Sequence, residues 1–210
     1  MTSSAVSAQG TLVKIATGTG SAKTVTAATP GYPTIVTAAA HGLNAGDVVT
    51  LAGLSGNASI NGTFTVMRRT TNTFAIDLDT TGNTLTASSA TATPVSWTKV
   101  ANVKTFSGLD GSAAEIDVTN LDSVAKENRP GLPDSGQFTV EVDQDDTDAG
   151  QIAVRAAYQA TTVKQYQITL PNGKVITFTA WVKKYSTSGA VDNVIKASVD
   201  LRITGAYTLV

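Results

Sequence analysis

The sequence predicts a mainly β protein of antiparallel strands, interrupted by one α-helix at about 146–160. Short segments rich in β-branched and aromatic residues recur along the chain, each bounded by Gly or Asn, as is typical of all-β modules. Polar and apolar residues alternate clearly beyond residue 115, which indicates strands with one buried face and one solvated face. Apolar residues recur at helical spacing in one place, directly after an Asp-rich segment.

The first half of the chain contains short predicted strands between two low-complexity segments. A first strand at 11–15 is followed by residues 18–34, whose Gly, Thr, Ala and Pro content indicates a linker or connecting loop. Residues 80–94 form the second low-complexity segment. The predicted strands between them are 35–37, 47–51, 62–66 and 73–78.

The second half contains longer and more regular predicted strands. These are 115–119, 137–143, 175–183 and 194–204, the last with Ile195, Ala197, Val199, Leu201 and Ile203 on one face. The sequence Pro171-Asn172-Gly173 predicts a hairpin turn. Residues 120–136 lack periodicity and contain two prolines, so we expect a long loop that leaves the sheet, and loops of this length are usually functional or disordered.

The Asp-rich segment before the predicted helix has two interpretations. Asp146 and Asp148 offer N-cap oxygens and negative charge at the positive end of the helix dipole. A calcium loop of the EF-hand type, counted from Asp143, would need Gly at its sixth position and Glu at its twelfth. The chain has Asp148 and Val154 there, so helix capping is the better account.

Composition argues against several functional classes. The formal net charge of −1 gives no basic excess for tight nucleic-acid binding. The chain has no cysteine and one histidine, His41, so we expect no disulfide, no metal site and no cofactor. Residues 1–10 lack the pattern of a signal peptide, and no apolar run is long enough to span a membrane, so we expect a soluble protein made in the cytoplasm.

No catalytic grouping stands out, and the sequence predicts a protein that is not an enzyme. It contains neither a phosphate-binding loop of the P-loop type nor a nucleophile elbow. Glu115 and Asp117 resemble a glycosidase pair only superficially, because a regular strand pattern explains their spacing. His41, in His-Gly-Leu, is best explained as a residue that shapes a turn.

Residues 106–123 (FSGLDGSAAEIDVTNLDS) resemble the tail tube proteins of long, non-contractile-tailed phages. Four further features resemble that family and follow in the same order. They are the segment 131–136 (GLPDSG), the strand after it, the Asp-rich helix start and the last strand pair. Residues 10–15 (GTLVKI) also resemble the family's first strand. The resemblance implies an antiparallel β-sandwich or barrel of the tail-tube type, formed by residues 1–20 and 95–210.

Residues 21–94 depart from the plain family pattern. The sequences His41-Gly42-Leu43, Gly46-Asp47-Val48-Val49, Asn61-Gly62-Thr63-Phe64 and Asn72-Thr73-Phe74 resemble a small β-barrel module that is inserted in many phage structural proteins. We therefore expect an inserted all-β barrel that decorates the outside of the assembly. Such an insertion is tolerated where the module's ends lie close together at a surface turn.

The resemblance implies a structural role in the virion tail. Subunits of the family form hexameric rings that stack into a tube, and DNA passes through the tube during ejection. It also implies partners: other copies of the chain, the tape measure protein, the tail terminator and the tail-tip proteins, with transient DNA passage and no membrane. Assembly would take place in the host cytoplasm.

The resemblance also suggests two sets of site residues. The acidic strand faces, which are otherwise ordinary solvated faces, would line the lumen and repel phosphate. Their candidate residues are Glu115, Asp117, Glu141 and Asp143. The long loop, which is otherwise a mobile solvent loop, would contact the neighbouring ring through charged pairs. Its candidate residues are Asp122, Lys126, Glu127, Arg129 and Asp134. The N-terminal tail would likewise become ordered on assembly.

A different function remains open at this point. A tail-tip or adhesin-type protein would use the inserted module to bind a host glycan, and such a site would expose aromatic residues. The module has only Tyr32, Phe64 and Phe74, and both phenylalanines lie in strand patterns as core residues.

Overall fold

The structure is a computed structural model that describes residues 5–210, and most of its regular elements are strands. The first four residues of the predicted N-terminal tail lie outside this range. Within it the chain forms β1 (Leu12–Thr19), β2 (Lys23–Val25), β3 (Ala27–Thr29), β4 (Thr34–Thr37), β5 (Val48–Ser55), β6 (Thr63–Arg69), β7 (Thr73–Ile76), β8 (Thr86–Val100), β9 (Val103–Gly108), β10 (Ser112–Asp117), β11 (Asn128–Asp134), β12 (Gln137–Asp143), α1 (Ala149–Gln159), β13 (Val163–Thr169), β14 (Val175–Ser188) and β15 (Lys196–Leu209). The predicted mainly β fold with antiparallel sheets and one helix is confirmed for the described residues.

The chain divides into two compact units. The first contains residues 5–98, Gln167–Thr177 and Thr208–Val210, and the second contains Lys99–Tyr166 and Phe178–Tyr207. Strands β8, β13, β14 and β15 each contribute residues to both units. The predicted boundaries at 21 and 94, and the closed barrel expected between them, remain predictions.

In the first unit the strands follow the order β3-β4-β7-β6-β5-β8-β1, and β2 also pairs with β8. One cluster of buried side chains draws its members from residues 25–92, including Val36, Leu51, Phe74 and Ile76. Residues 21–94 therefore have a hydrophobic core of their own. This core is the main structural support for treating them as a module.

In the second unit the strands follow the order β13-β14-β15-β12-β9. Strand β12 buries Phe138, Val140 and Val142, as the alternation predicts, and it pairs with both β15 and β9. On β15 the predicted apolar face is confirmed for Ala197 to Ile203. Ile195 was placed on that face wrongly, because it precedes the strand and is 54% exposed.

The helix begins where the acidic segment predicts. Asp148 is its N-cap and accepts a hydrogen bond from the Gln151 N–H at 2.8 Å. The Gln151 side chain is buried and bonds three backbone groups, those of Ala101, Asp143 and Asp145. Because unpaired buried backbone groups cost free energy, this amide stabilises the start of the helix.

The predicted turns at His41 and at residues 171–173 are confirmed. His41 is buried, its Nδ1 accepts from the Leu43 N–H at 3.0 Å, and its ring packs edge-on against Phe74. The turn after β13 is closed by hydrogen bonds between Leu170 and Lys174 and between Gly173 and Leu170.

Three segments predicted as loops contain strands. Residues 18–34 contain β2 and β3, and residues 80–94 contain most of β8. Both segments are rich in Thr and Ala, which tolerate strand conformation but show little contrast between faces, so period-two alternation is hard to detect. The third segment, 120–136, contains β11.

Strand β11 pairs with β10 in a separate two-stranded sheet, here called the ribbon (residues 112–134). Pro130 and Pro133 obscured this strand because proline cannot donate a ladder hydrogen bond, but edge strands tolerate it. The predicted strand at 115–119 is confirmed for residues 115–117, which lie on β10, but its predicted buried face is wrong. All of β10 is exposed, and it ends at Asp117.

Candidate assembly surfaces

The first candidate surface is the polar face of β12, opposite its buried residues. Glu141 accepts a hydrogen bond from the Thr105 hydroxyl of β9 at 3.1 Å. Asp143 forms an ion pair with Lys104 at 2.8 Å. One of the two predicted lumen carboxylates on this strand is therefore already matched with a cation.

This face carries charges of both signs. Strand β15 places Lys196 opposite Asp143 and Arg202 opposite Gln137. The Lys183 ammonium donates to the Gln137 side chain at 3.3 Å. The prediction of an acidic face considered β12 alone, and neighbouring strands supply the cations that the single-strand pattern could not show. On β12, Asp143 is therefore paired with a Lys, whereas Glu141 bonds a hydroxyl.

The other two predicted lumen residues, Glu115 and Asp117, lie on the ribbon and not in the sheet of β12. Glu115 lies directly opposite Pro130 of β11, and Asp117 lies directly opposite Asn128. Asp117 accepts a hydrogen bond from the Thr119 N–H at 2.9 Å, and its bonds to Thr119 lower the pKa of this exposed carboxyl. The four acidic candidates thus form two separate pairs in two different sheets.

The predicted stacking residues all lie on the ribbon. Asp122, Lys126 and Glu127 occupy the turn at its tip, while Arg129 and Asp134 lie on β11. The base of the tip is closed by a hydrogen bond from the Val118 N–H to the Glu127 carbonyl at 2.9 Å. The tip is therefore a defined turn on a strand pair and not an irregular loop.

Asp134 anchors the base of the ribbon. It accepts a hydrogen bond from the Gly136 N–H at 2.9 Å and forms an ion pair with Arg202 of β15. The Gly136 N–H and then the Arg202 guanidinium hold the pKa of Asp134 below its usual range. This carboxylate fixes the ribbon to the sheet of its own unit, so its charge is used within the subunit.

Large apolar side chains are exposed along the ribbon, and the sequence interpretation missed them. Leu121 and Val124 at the tip are fully exposed, Leu132 is 91% exposed and Ile116 is 51% exposed. A second exposed apolar group, Val191, Val194 and Ile195, lies in the loop before β15. The sequence signal for this surface was the presence of large apolar residues in a segment without periodicity. A loop that stays in solvent is not expected to expose such residues.

The second unit also has an open sheet edge. Strand β9 ends the strand order and pairs with β12 alone among the described residues. Its outward backbone groups are free to accept another strand. An uncovered edge of this kind favours pairing with a further chain.

Residues 5–210 contain no grouping of His, Asp and Glu that would hold a metal ion. The acidic segment before the helix is occupied by internal contacts, with Asp145 bonded to Thr147 and Asp146 paired with Arg155 at 2.5 Å. None of the helices in that range is long and apolar enough to cross a membrane.

A mainly β unit with an open sheet edge and an exposed apolar ribbon is typical of proteins that act by assembling. Residues 79–210 match the family model of the lambda phage tail tube protein, and because this is more than half of the sequence, the chain belongs to that family. As a family member it is a structural protein of the phage tail. The match stops short of most of residues 21–94, which are the predicted insertion.

Solved structures give distant similarities to other tail assemblies. A chain from the tail of an empty GTA particle is 15% identical over 54% of this chain and 86% of its own, with a TM-score of 0.47. The SPP1 tail tube is 18% identical over 54% and 67%, with a TM-score of 0.44. A chain of the anti-feeding prophage baseplate is 9% identical over 80% and 94%, with a TM-score of 0.42. A comparison with the curated proteins finds no significant match.

Proposed function

We propose that this protein is a tail tube subunit that associates into hexameric rings, which stack into the conduit for DNA ejection. The observation that carries the proposal is the family match over residues 79–210, which covers the open β9 edge and the ribbon together. The number of subunits in a ring, six, and the partners at the tube ends follow from the family resemblance. The tube would assemble in the host cytoplasm from subunits alone.

The open β9 edge closes the ring. Unpaired backbone groups on β9 gain hydrogen bonds when a strand of the neighbouring subunit lies beside them. Contacts of one surface patch with a different patch on the next copy close into a ring when the rotation fits. The β9 edge of every subunit would then be covered in the ring.

The ribbon forms the contact between stacked rings. Its exposed Ile116, Leu121, Val124 and Leu132 supply apolar area that assembly removes from water. The charged candidates Asp122, Lys126, Glu127 and Arg129 lie among these residues and set the register of the contact. Asp134, which is paired within the subunit, fixes the ribbon's direction instead of contacting the next ring.

The lumen is formed in part by the polar face of β12, with Glu141 and Asp143, and by the ribbon carboxylates Glu115 and Asp117. A conduit must not retain its DNA, and unpaired Lys and Arg would retain it by binding phosphate. One of these carboxylates, Asp143, is paired with a cation, Lys104. The wall therefore presents little net attraction to the duplex.

Residues 21–94, with their separate core, form an inserted module that decorates the outside of the tube. A module of this size would obstruct a lumen that must pass a duplex.

Negative-stain microscopy of the purified chain at rising concentration tests the assembly. Hollow rods or rings of uniform diameter are the expected result, because both the edge and the ribbon gain partners only by self-association. Particles that stay monomeric at high concentration would rule the tube subunit out.

The lumen assignment has its own test in the variant Glu141→Lys. Within residues 5–210 the Glu141 side chain has one hydrogen bond, from the Thr105 hydroxyl. We therefore expect normal tubes that bind duplex DNA in a salt-dependent manner and virions that eject DNA poorly. The control is Glu141→Gln, which keeps the size of the side chain and adds no cation. Unchanged infectivity of the Lys variant would refute the assignment.

A further inference from the structure

We propose that the module at residues 21–94 carries a binding pocket for an anionic sugar unit, with Arg68 and Arg69 as the anion-binding residues. The pocket is open, has a volume of about 370 Å³ and lies on the β4–β7–β6 sheet. This size is at the lower end of small-molecule sites, which suits one sugar ring and its charged substituent. The proposal goes beyond the tube and does not depend on it.

The floor of the pocket follows from the register of three strands. Ala75 of β7 lies opposite Ile35 of β4 on one side and Arg68 of β6 on the other. Phe74 and Ile76, the neighbours of Ala75 along the strand, point into the core. Alternation therefore places Ala75 on the opposite face of the sheet.

The small side chain of Ala75 makes this row concave. Ala75 stands between the longer side chains of Ile35 and Arg68, so the centre of this row of three residues is recessed. Pro33 also lines the pocket. Thr70 adds a hydroxyl at the rim. An apolar floor with a hydroxyl and cations at the rim suits a sugar ring, which has an apolar face and polar edges.

The charges of the module select the sign of the ligand. Residues 21–94 contain three acidic residues, and each accepts a hydrogen bond within the module: Asp47 from Asn44, Asp77 from Tyr32 and Asp79 from Thr81. Arg68 and Arg69 are exposed, and their guanidinium groups have no hydrogen bond or ion pair with any residue in the described range 5–210. Both arginines line the pocket, and a guanidinium with free donors can bind a carboxylate or a phosphate bidentately.

Recognition by charge also accounts for the shortage of aromatic residues. Sugar sites that rely on ring stacking need exposed aromatic side chains. In this module Phe74 is buried and Phe64 packs against the core, and Tyr32, which is 67% exposed, is not among the residues that line the pocket. The arginine pair supplies the binding energy instead. Carboxylate sugars and phosphate sugars share the chemistry that this pair recognises.

The test is an NMR titration of the full-length chain with D-glucuronate, D-glucose 6-phosphate and D-glucose as separate probes. We expect one or both anions to shift the signals of Arg68, Arg69, Ile35 and Ala75, and neutral glucose to shift none of them. The stronger anion identifies the source, a uronic acid or a phosphorylated sugar. Inorganic phosphate should bind more weakly than the sugar phosphate, because it cannot use the apolar floor.

The double variant Arg68→Gln and Arg69→Gln should weaken anion binding at least tenfold. The control Lys23→Gln removes the module's third positive charge away from the pocket and should leave binding unchanged. Both arginines are exposed, so the double variant keeps its fold, and the unshifted core signals verify this. The proposal is overturned if neither anion binds, if glucose or inorganic phosphate binds equally well, or if Lys23→Gln matches the double variant.

Discussion

At the residue scale, the close approach of α1 to the end of β8 depends on Gly150. A Cβ atom at this position would lie 2.7 Å from the Val100 Cα and closer still to the Lys99 carbonyl. These neighbours are backbone atoms, which cannot rotate away as a side chain can. Gly150 therefore sets how near the helix packs to the strand that leads into β9.

Replacing Gly150 with Ala should destabilise the protein by at least about 2 kcal/mol, because the added methyl overpacks against backbone. The direction of this change in stability is informative, since Gly→Ala inside a helix normally stabilises the helix by about 1 kcal/mol. Urea denaturation of the subunit at low concentration measures the free energy of unfolding.

The matched control is Gly18→Ala on β1, where no atom lies within 4 Å of the added Cβ. Its effect should stay within about 0.5 kcal/mol. A Gly150→Ala variant as stable as the parent protein would show that the helix packs less closely than described.

Single residues were predictable where a local pattern carried the information. The helix-capping role of Asp148 and the turn-shaping role of His41 both follow from short sequence motifs, and the structure confirms them. Gln151 and Gly150 were not predictable, because their roles depend on backbone groups that are distant in sequence. The pairing of Asp143 with Lys104 was missed for the same reason.

At the scale of elements, strands with strong alternation were predicted and strands of Thr and Ala were not. Strand β12 alternates between buried and polar residues, whereas the first part of β8 consists of small residues with similar polarity on both faces. Cross-strand hydrogen bonds with β5 and β2 hold β8 in place, and no local pattern reveals such partners. Strand β11 of the ribbon was missed because its prolines suggest a loop.

The ribbon tip gives a prediction at this scale. The double variant Leu121→Ser and Val124→Ser should raise the concentration needed for tube formation at least tenfold, because apolar area no longer leaves water on stacking. Sedimentation across a concentration series measures this threshold. The stability of the isolated subunit should not change, since both side chains are exposed in it.

The control for the ribbon variant keeps the tip apolar with Leu121→Met and Val124→Ile. These changes should leave the assembly threshold close to that of the parent. Equal thresholds for the serine variant and the parent would remove the ribbon from the stacking interface.

At the scale of the whole molecule, residues 79–210 match the tail tube family, and one cluster of buried side chains lies within residues 25–92. That residues 21–94 form an insertion remains a prediction. The order of strands and the helix position made the family predictable, because these features recur in the linear sequence. Subunit contacts are not encoded in a local pattern. The open β9 edge became visible only when the strand order was known.

The most direct test of the account is a cryo-EM reconstruction of the particles that the full-length chain forms at high concentration. We predict a hollow tube of six-subunit rings in which the β9 edge is hydrogen-bonded to a strand of the adjacent subunit. A particle in which the β9 edge faces solvent, or a sample that contains only single copies, would contradict the central claim.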